Sequence, residues 1–379
     1  MANLTGPTDD GDTERLDHAQ LSQYLSRIQL PPSSDLGNPG GPTAELATLK
    51  AVVKSHLSSI PYENLDLHYQ VPGSERTAGP PCSIRLPGTF EKMVQGRRGG
   101  YCLELNSLLA QALRSLGFVV HSAQARIVYE QSAPSKQGQT KDLVGIQVEV
   151  EKSLLGNAWP THILLIVQTR DGSRYLVDTG LAKFSLTEPL LIPSSQGRWS
   201  SLKEEEDWVE KSLARGILGK LFRLRRSKVD PDARGGAREV PSYYLQVSIP
   251  SKIGVDDDSD DDGGGVGGER VWKDYYHFAD RKVERQGEDF IHEWMSKGPE
   301  SVSPRYPFVT MPVRGVGQVS LHDQELVIRQ ADPPSLSAIG EEDDVEGPEQ
   351  VKEALLHYFG IPPSYDEPPR ERVLVAKSS

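Results

Sequence analysis

Cysteine is nearly absent from this chain: Cys82 and Cys102 are the only two in 379 residues. A disulfide framework is therefore excluded as an organising device, and a reducing, cytosolic compartment is the natural expectation. Each thiol then has to be explained singly. Long apolar runs are missing too: no stretch approaches the roughly 18 residues that a membrane span needs. The start, MANLTGPTDDGDTERLDHAQL, is polar and acidic, without the basic and apolar pattern of a signal peptide or the arginine-rich character of a transit peptide. Positive charge is in deficit. With 42 Lys and Arg against 54 Asp and Glu, the net charge of -12 argues against nonspecific nucleic-acid binding, although the run Asp256 to Asp262 holds much of the acidity. The nine histidines are scattered, and two cysteines supply no metal-ligand spacing, so no metal is expected. The glycines between Gly263 and Gly268 follow the acidic run with neither a preceding hydrophobic strand nor a Lys-Ser/Thr pair, which makes them linker rather than phosphate loop.

What is present is the composition of an ordinary globular chain, long enough for two or three domains at roughly 150 residues each. Apolar residues recur at helical spacing from Leu16 to Leu57, interrupted by the Pro/Gly/Ser stretch from Pro31 to Pro42. Leu105, Leu108, Leu109, Ala112, Leu113 and Leu116 predict a helix that Gly117 ends, with Cys102 at its beginning. The pattern then changes to short Val/Ile/Tyr-rich strands at 124–129, 144–150, 162–167 and 175–177. Residues 204–221 read as helix and 243–249 as strand. Residues 254–268, with DDDSDDDGGGVGG, read as a disordered acidic insertion. The last third mixes a helix over 290–297, strands over 308–310 and 325–328, and a closing helix over 348–359 ended by Gly360; no internal repeat is found. The fold class expected is α+β.

Cys102 lies at the first turn of a buried helix, entered through Gly99-Gly100 with Arg97 and Arg98 close by, where the helix dipole and positive charge favour a thiolate. Two readings stand open for it, a nucleophile and a small apolar filler. Cys82, between Pro80-Pro81 and Ile84, has no such setting and reads as structural. His162 opens the apolar strand His162-Ile163-Leu164-Leu165-Ile166-Val167, and Asp178 ends the next one. Asp171-Gly172 between them signals a hairpin. The register decides whether the two side chains meet. A two-residue turn at 171–172 sets His162 opposite Leu181 and leaves Asp178 on the other face. A three-residue loop at 170–172 sets His162 opposite Gly180, with Asp178 two positions away on the same face. An odd loop or a bulge is therefore predicted. Asp178 would then fix the histidine tautomer and favour imidazolium while the other nitrogen faces Cys102, the arrangement that thiol acyl transfer requires.

The segment Arg97-Arg98-Gly99-Gly100-Tyr101-Cys102-Leu103-Glu104-Leu105-Asn106 resembles the active-cysteine segment of the arylamine N-acetyltransferases. Ile60-Pro61-Tyr62-Glu63-Asn64-Leu65-Asp66 resembles that family's upstream signature, and Thr161-His162-Ile163-Leu164-Leu165 and Val177-Asp178-Thr179-Gly180 resemble its histidine and aspartate segments. A weaker echo follows in Ser303-Pro304-Arg305-Tyr306-Pro307-Phe308. The resemblance implies a helical N-terminal domain (1–117), an antiparallel β-barrel (118–222) and an α/β lid (223–379), with a cysteine-protease-like Cys-His-Asp site in the cleft between them. It implies ping-pong transfer of an acyl group from acetyl-coenzyme A, or another acyl-coenzyme A, through Cys102 to arylamines, arylhydrazines or N-hydroxyarylamines. On the same analogy Thr161, Thr179, Gly180, Leu181 and Ala182 would face substrate and coenzyme A, Glu63 and Arg98 would form a structural ion pair, and no membrane partner is expected.

The chain departs from the family pattern where Gly180-Leu181-Ala182 stands in place of the usual Gly-Phe-Gly, and where His292-Glu293-Trp294-Met295 replaces a segment that often carries Asn. Leu181 would widen the acyl pocket, and Ala182 would restrict backbone approach to the pantetheine. With the acidic insertion, these differences resemble a eukaryotic, fungal-type branch. A papain-like or transglutaminase-like hydrolase shares the order cysteine, histidine, aspartate, and an inactive binding module of the same fold is the other alternative.

Overall fold

The computed structural model describes residues 14–30, 44–68, 82–127, 161–181, 185–193, 212–227, 240–250, 270–297, 307–313, 317–322, 325–330, 342–344 and 347–362. The strand expected at 144–150, the acidic insertion and Ala182 lie outside the described residues.

Helices α1 (His18–Arg27) and α2 (Leu46–Leu57) form where the helical spacing places them. Asp17 caps α1 reciprocally with Gln20: its carboxylate accepts from the Gln20 N–H at 2.8 Å, and its own N–H donates to the Gln20 side chain at 3.0 Å. Helix α3 (Cys102–Ser115) is buried on almost every side, as its density of Leu and Ala demands. Its C-terminus closes as a Schellman motif: Gly117, at φ 89°, donates to the Arg114 carbonyl at 3.1 Å and Phe118 to the Leu113 carbonyl at 3.1 Å. Later in the chain come α4 (Arg285–Lys297) and α5 (Gly347–Phe359). No helix among the described residues is long and apolar enough to cross a membrane.

The strands form two sheets. One has five strands: β1 (Tyr62–Glu63), β10 (Phe308–Val313), β11 (Gly317–His322), β12 (Glu325–Gln330) and β13 (Glu342–Asp344), in that order. Helix α5 packs on it through Leu355 and Phe359. The other is an eight-stranded antiparallel sheet in the order β5-β4-β3-β2-β9-β8-β7-β6, built from β2 (Val119–Ile127), β3 (His162–Gln168), β4 (Arg174–Val177), β5 (Leu190–Ile192), β6 (Leu213–Arg215), β7 (Leu221–Ser227), β8 (Ser242–Pro250) and β9 (Arg270–Ala279). Its two edges approach each other through a bridge between Leu186 and Gly216, which nearly closes a barrel. The α+β expectation of helices, barrel and a further sheet with a helix is met.

Strand β3 shows why its sequence is an unbroken apolar run. Leu165 and Val167 face a core shared with α1, α2 and α3, while Leu164 and Ile166 face the barrel interior with Phe222, Leu245 and Phe278. Neither face of the strand meets water.

Two expectations are corrected. The described part of 204–221 is not helical: it holds β6, a turn in which Leu218 (φ 54°) and Gly219 (φ 67°) are left-handed, and the start of β7. Gly216 and Gly219 are the reason. The first lies against the Phe222 ring, where an added Cβ would come within 2.2 Å, and the second reverses the chain. The boundary expected at 222 falls within β7, and the eight-stranded sheet takes β8 and β9 from beyond it. A division of the chain into three units remains a proposal, and it fits the sheet better with the second boundary after Ala279.

Candidate active site

The hairpin carrying His162 and Asp178 has the register that the paired side chains need. Leu165 pairs with Val177, Ile166 with Leu176, Val167 with Tyr175 and Gln168 with Arg174. Thr169 donates to the Ser173 carbonyl at 2.9 Å, so the loop is residues 170–172, with Gly172 at φ 83°. This is an odd loop, one of the two alternatives predicted, and it leaves His162 and Asp178 on one face. Their side chains meet at 2.7 Å between Nε2 and Oδ2, both fully buried.

Cys102 comes to them at the first position of α3, its thiol free and 4% exposed. Gly180 sets the distance of approach: a Cβ there would lie 2.7 Å from the Cys102 Cα and 2.8 Å from its Cβ. Burial alone would lower the His162 pKa. The Asp178 carboxylate, its hydrogen bond and the interaction with the Cys102 thiol outweigh burial and raise it to about 10. With Nε2 committed to Asp178, Nδ1 is the nitrogen left for the sulfur.

Asn106 and Tyr276 complete the site, and neither was singled out from sequence. Asn106, one turn after Cys102 on the same helix face, donates to Asp178 Oδ1 at 3.0 Å and to the Ile163 carbonyl at 2.7 Å. Its carbonyl accepts from the Thr179 N–H at 3.0 Å and from the Thr179 hydroxyl at 3.1 Å. Oδ1 of Asp178 also accepts from Gly180 N at 2.9 Å, so both of its oxygens are occupied. The available signal was a polar residue four positions after Cys102 on a helix otherwise rich in leucine. Tyr276, on β9, packs its ring 5.6 Å from that of His162. Its hydroxyl approaches Asp178 without completing a hydrogen bond of standard geometry.

The remaining expected residues are distributed as follows. Thr161 donates its backbone N–H to the Ala125 carbonyl at 3.1 Å, just ahead of His162. Leu181 is 3% exposed and packed in the barrel core. Cys82 is buried, its thiol pushed up by desolvation and then by Glu104. Among the described residues no cluster of three metal-ligating side chains occurs.

The entry to α3 is crowded. Gly99 lies where a Cβ would come within 2.1 Å of the Pro61 carbonyl oxygen, and Gly100 pairs with Tyr62. Arg98, expected beside the thiol, is committed to a buried ionic cluster: it meets Glu63 at 2.7 Å and Asp66 at 2.8 Å, while Lys92 meets Asp66 at 2.8 Å and Glu104 at 2.9 Å. The expected Glu63 and Arg98 ion pair is part of it. Burial would raise the Asp66 carboxyl, but Lys92 and Arg98 hold it well below the usual range; for Glu104 burial prevails over Lys92 and raises the carboxyl to about 7.

An N-acetyltransferase family model matches residues 45–159, a span that contains Cys102 and ends before His162. An arylamine N-acetyltransferase of Mycolicibacterium smegmatis is 31% identical over 229 residues, 59% of this chain and 70% of the relative. The chain belongs to the arylamine N-acetyltransferase family. Within it, a Fusarium pseudograminearum N-malonyltransferase is 30% identical over 313 residues, 79% of this chain and 76% of that one. The Escherichia coli arylamine N-acetyltransferase is 29% identical, and the match spans 55% of its length. The fold agrees over a longer span: the Salmonella typhimurium arylamine N-acetyltransferase structure has a TM-score of 0.58 at 19% identity, covering 90% of this chain and 91% of that one. A Mycobacterium marinum family structure in complex with CoA has a TM-score of 0.57 at 21% identity, covering 90% and 92%.

Proposed function

We propose that the chain transfers an acyl group, in the first place acetyl, from acyl-coenzyme A to the nitrogen of an arylamine, arylhydrazine or N-hydroxyarylamine by a ping-pong route. The observation that carries this reading is the buried line from Asp178 through His162 to Cys102 at a helix N-terminus. The Cys102 thiolate attacks the thioester carbonyl, and the coenzyme A sulfur leaves and takes its proton from the His162 imidazolium. The amine then attacks the acyl-cysteine, His162 accepts the amine proton, and Cys102 leaves as thiolate. Asp178 holds the tautomer and stabilises the imidazolium. Gly180 lets the hairpin approach the Cys102 Cα and Cβ closely, and Thr179 supports the loop through Asn106. Leu181, Ala182 and Thr161 stay assigned to the substrate and coenzyme A side by resemblance alone. A cytosolic setting fits a catalytic free thiol.

A malonyl donor is the second reading, favoured by the N-malonyltransferase relative that matches 79% of the chain. Intact-protein mass spectrometry after brief incubation with acetyl- or malonyl-coenzyme A and no acceptor tests both. A single adduct that disappears in Cys102→Ala is expected, and its mass names the donor. No adduct with either donor would overturn the acyltransferase reading in favour of a thiol hydrolase or an inactive module.

A further inference from the structure

Helix α4 reaches the residue next to the nucleophile through one histidine. His292 is buried, its ring stacked on that of Tyr101 with centroids 5.9 Å apart and planes 20° from parallel. Its Nδ1 is hydrogen-bonded to the Tyr101 hydroxyl, and its Nε2 lies 3.0 Å from the Cys82 carbonyl oxygen. A carbonyl accepts only, so Nε2 carries the proton, and a neutral imidazole then accepts from Tyr101 at Nδ1. Burial holds His292 below its ordinary pKa, with the charges of Arg85 and Lys92 acting in the same sense against the Cys82 carbonyl and Asp289. The same face of α4 is fastened by Arg85, which meets Glu288 at 2.6 Å and Asp289 at 2.7 Å. Ile291 and Met295 pack into one cluster with Tyr101, Cys102 and Ile163.

Tyr101 is the N-cap of the nucleophile helix, its backbone N–H donating to Glu104 Oε2 at 3.2 Å and its carbonyl accepting from Leu105 N at 3.0 Å. The Tyr101 carbonyl belongs to the peptide that leads into Cys102, so the residue whose hydroxyl His292 holds also opens the nucleophile helix. We infer that His292 is a positioning residue for acyl transfer: its acceptor nitrogen fixes Tyr101, and through it the peptide that presents the Cys102 sulfur beneath the wall of Ile291 and Met295. The inference rests on the proposed thioester route.

Asn and Gln substitutions separate the two arms, because an Asn carbonyl reproduces the Nδ1 acceptor and a Gln amide the Nε2 donor. The readout is the single-turnover rate of acyl adduct formation on Cys102, with the KM and kcat of overall transfer. His292→Gln and Tyr101→Phe are expected to slow acylation by about tenfold, the range that one buried hydrogen bond supplies, mainly in kcat. His292→Asn is expected to restore the rate to within about threefold. The double variant Tyr101→Phe/His292→Gln should be no slower than either single one, since both break the same bond. If His292→Gln fails to fold, Tyr101→Phe, which keeps the ring, carries the test alone. Unchanged acylation rates in these variants, or a lower Tm with unchanged rate per folded molecule, would overturn the positioning role while leaving the thioester intact. A wild-type chain that takes no acyl group would instead remove the route on which it rests.

Discussion

The first turn of α3 touches two buried polar clusters built on opposite plans. On one side Lys92 and Arg98 are enclosed by Glu63, Asp66 and Glu104, and each cation meets at least two carboxylates. That cluster is closed on itself and ties 61–66 and 92–98 to the helix. On the other side the oxygens of Asp178 are occupied by His162, Asn106 and Gly180, but the second nitrogen of His162 turns to a thiol. A proton can leave His162 there because the Asp178 carboxylate that stays behind keeps its hydrogen bonds from Asn106, Gly180 and the neutral imidazole. Saturation is what distinguishes a charge that supports the fold from one placed to react, and burial alone does not.

Asp178→Asn tests that distinction with the largest expected effect. An amide cannot hold the charged imidazole, so acylation of Cys102 should fall by about three to four orders of magnitude, as expected when a triad loses its orienting carboxylate. Because the folded pKa of His162 is raised from 6.5 to about 10, the pair's contribution to stability is complete below about 6.5 and is lost as pH rises through about 10. Urea unfolding should therefore show the variant less stable than the wild type at neutral pH and the gap closing toward pH 10. Iodoacetamide labelling of Cys102 at pH 7 should slow in parallel, and an unchanged labelling rate would contradict the assignment.

The closed cluster should respond the other way. Lys92→Met leaves Asp66 and Glu104 with less positive charge in a buried site, and breaking one partner of such a cluster costs about 3–5 kcal/mol. Glu104, whose carboxyl is already raised from 4.5 to about 7, opposes folding increasingly as pH rises between those values. The stability loss of the variant should therefore grow as pH rises above about 7, where Glu104 ionises beside Lys92 in the wild type and lacks that partner in the variant. The acylation rate per folded molecule should stay close to wild type. A rate loss as large as that of Asp178→Asn would show that the two clusters act as one.

How much of this was legible in the sequence depends on the distance in sequence between the residues concerned. The α3 helix and its glycine stop follow from local spacing. The hairpin register follows from one turn signal and from counting, which is why His162 and Asp178 could be paired on paper. Tyr276 reaches the same pair from about a hundred residues later in the chain, through β9 against β2, and no local pattern announces it. His292 is a similar case: its helix was expected, but its partner Tyr101 lies 191 residues earlier. The helical reading fails over 212–221, the described part of that segment, because its apolar residues suit both periods, while Gly216 and Gly219 decide the matter.

Gly180→Ala probes the contact between helix and hairpin. The added methyl would meet the Cys102 backbone at 2.7 Å, and backbone on both sides must shift to admit it. Overpacking of this kind costs about 1–3 kcal/mol. The displacement falls on the sulfur and its histidine together, so thermal unfolding should shift by a few degrees while acylation drops by a larger factor than the stability change accounts for. Equal losses in the two measurements would make Gly180 a packing residue only.

Tyr276→Phe should have the smallest effect and says most about whether the reactive cluster is itself saturated. The Tyr276 hydroxyl is buried and near Asp178, yet it completes no standard hydrogen bond there, while Asn106 and Gly180 already occupy Oδ1 and His162 occupies Oδ2. If those three partners hold the carboxylate, removing the hydroxyl costs less than about 1 kcal/mol, and acylation changes by less than about fivefold. The ring contact with His162 at 5.6 Å is kept by phenylalanine, so the substitution isolates the hydroxyl. A loss approaching that of Asp178→Asn would mean that Tyr276 closes onto Asp178 when the donor binds, and the carboxylate would then have four partners rather than three.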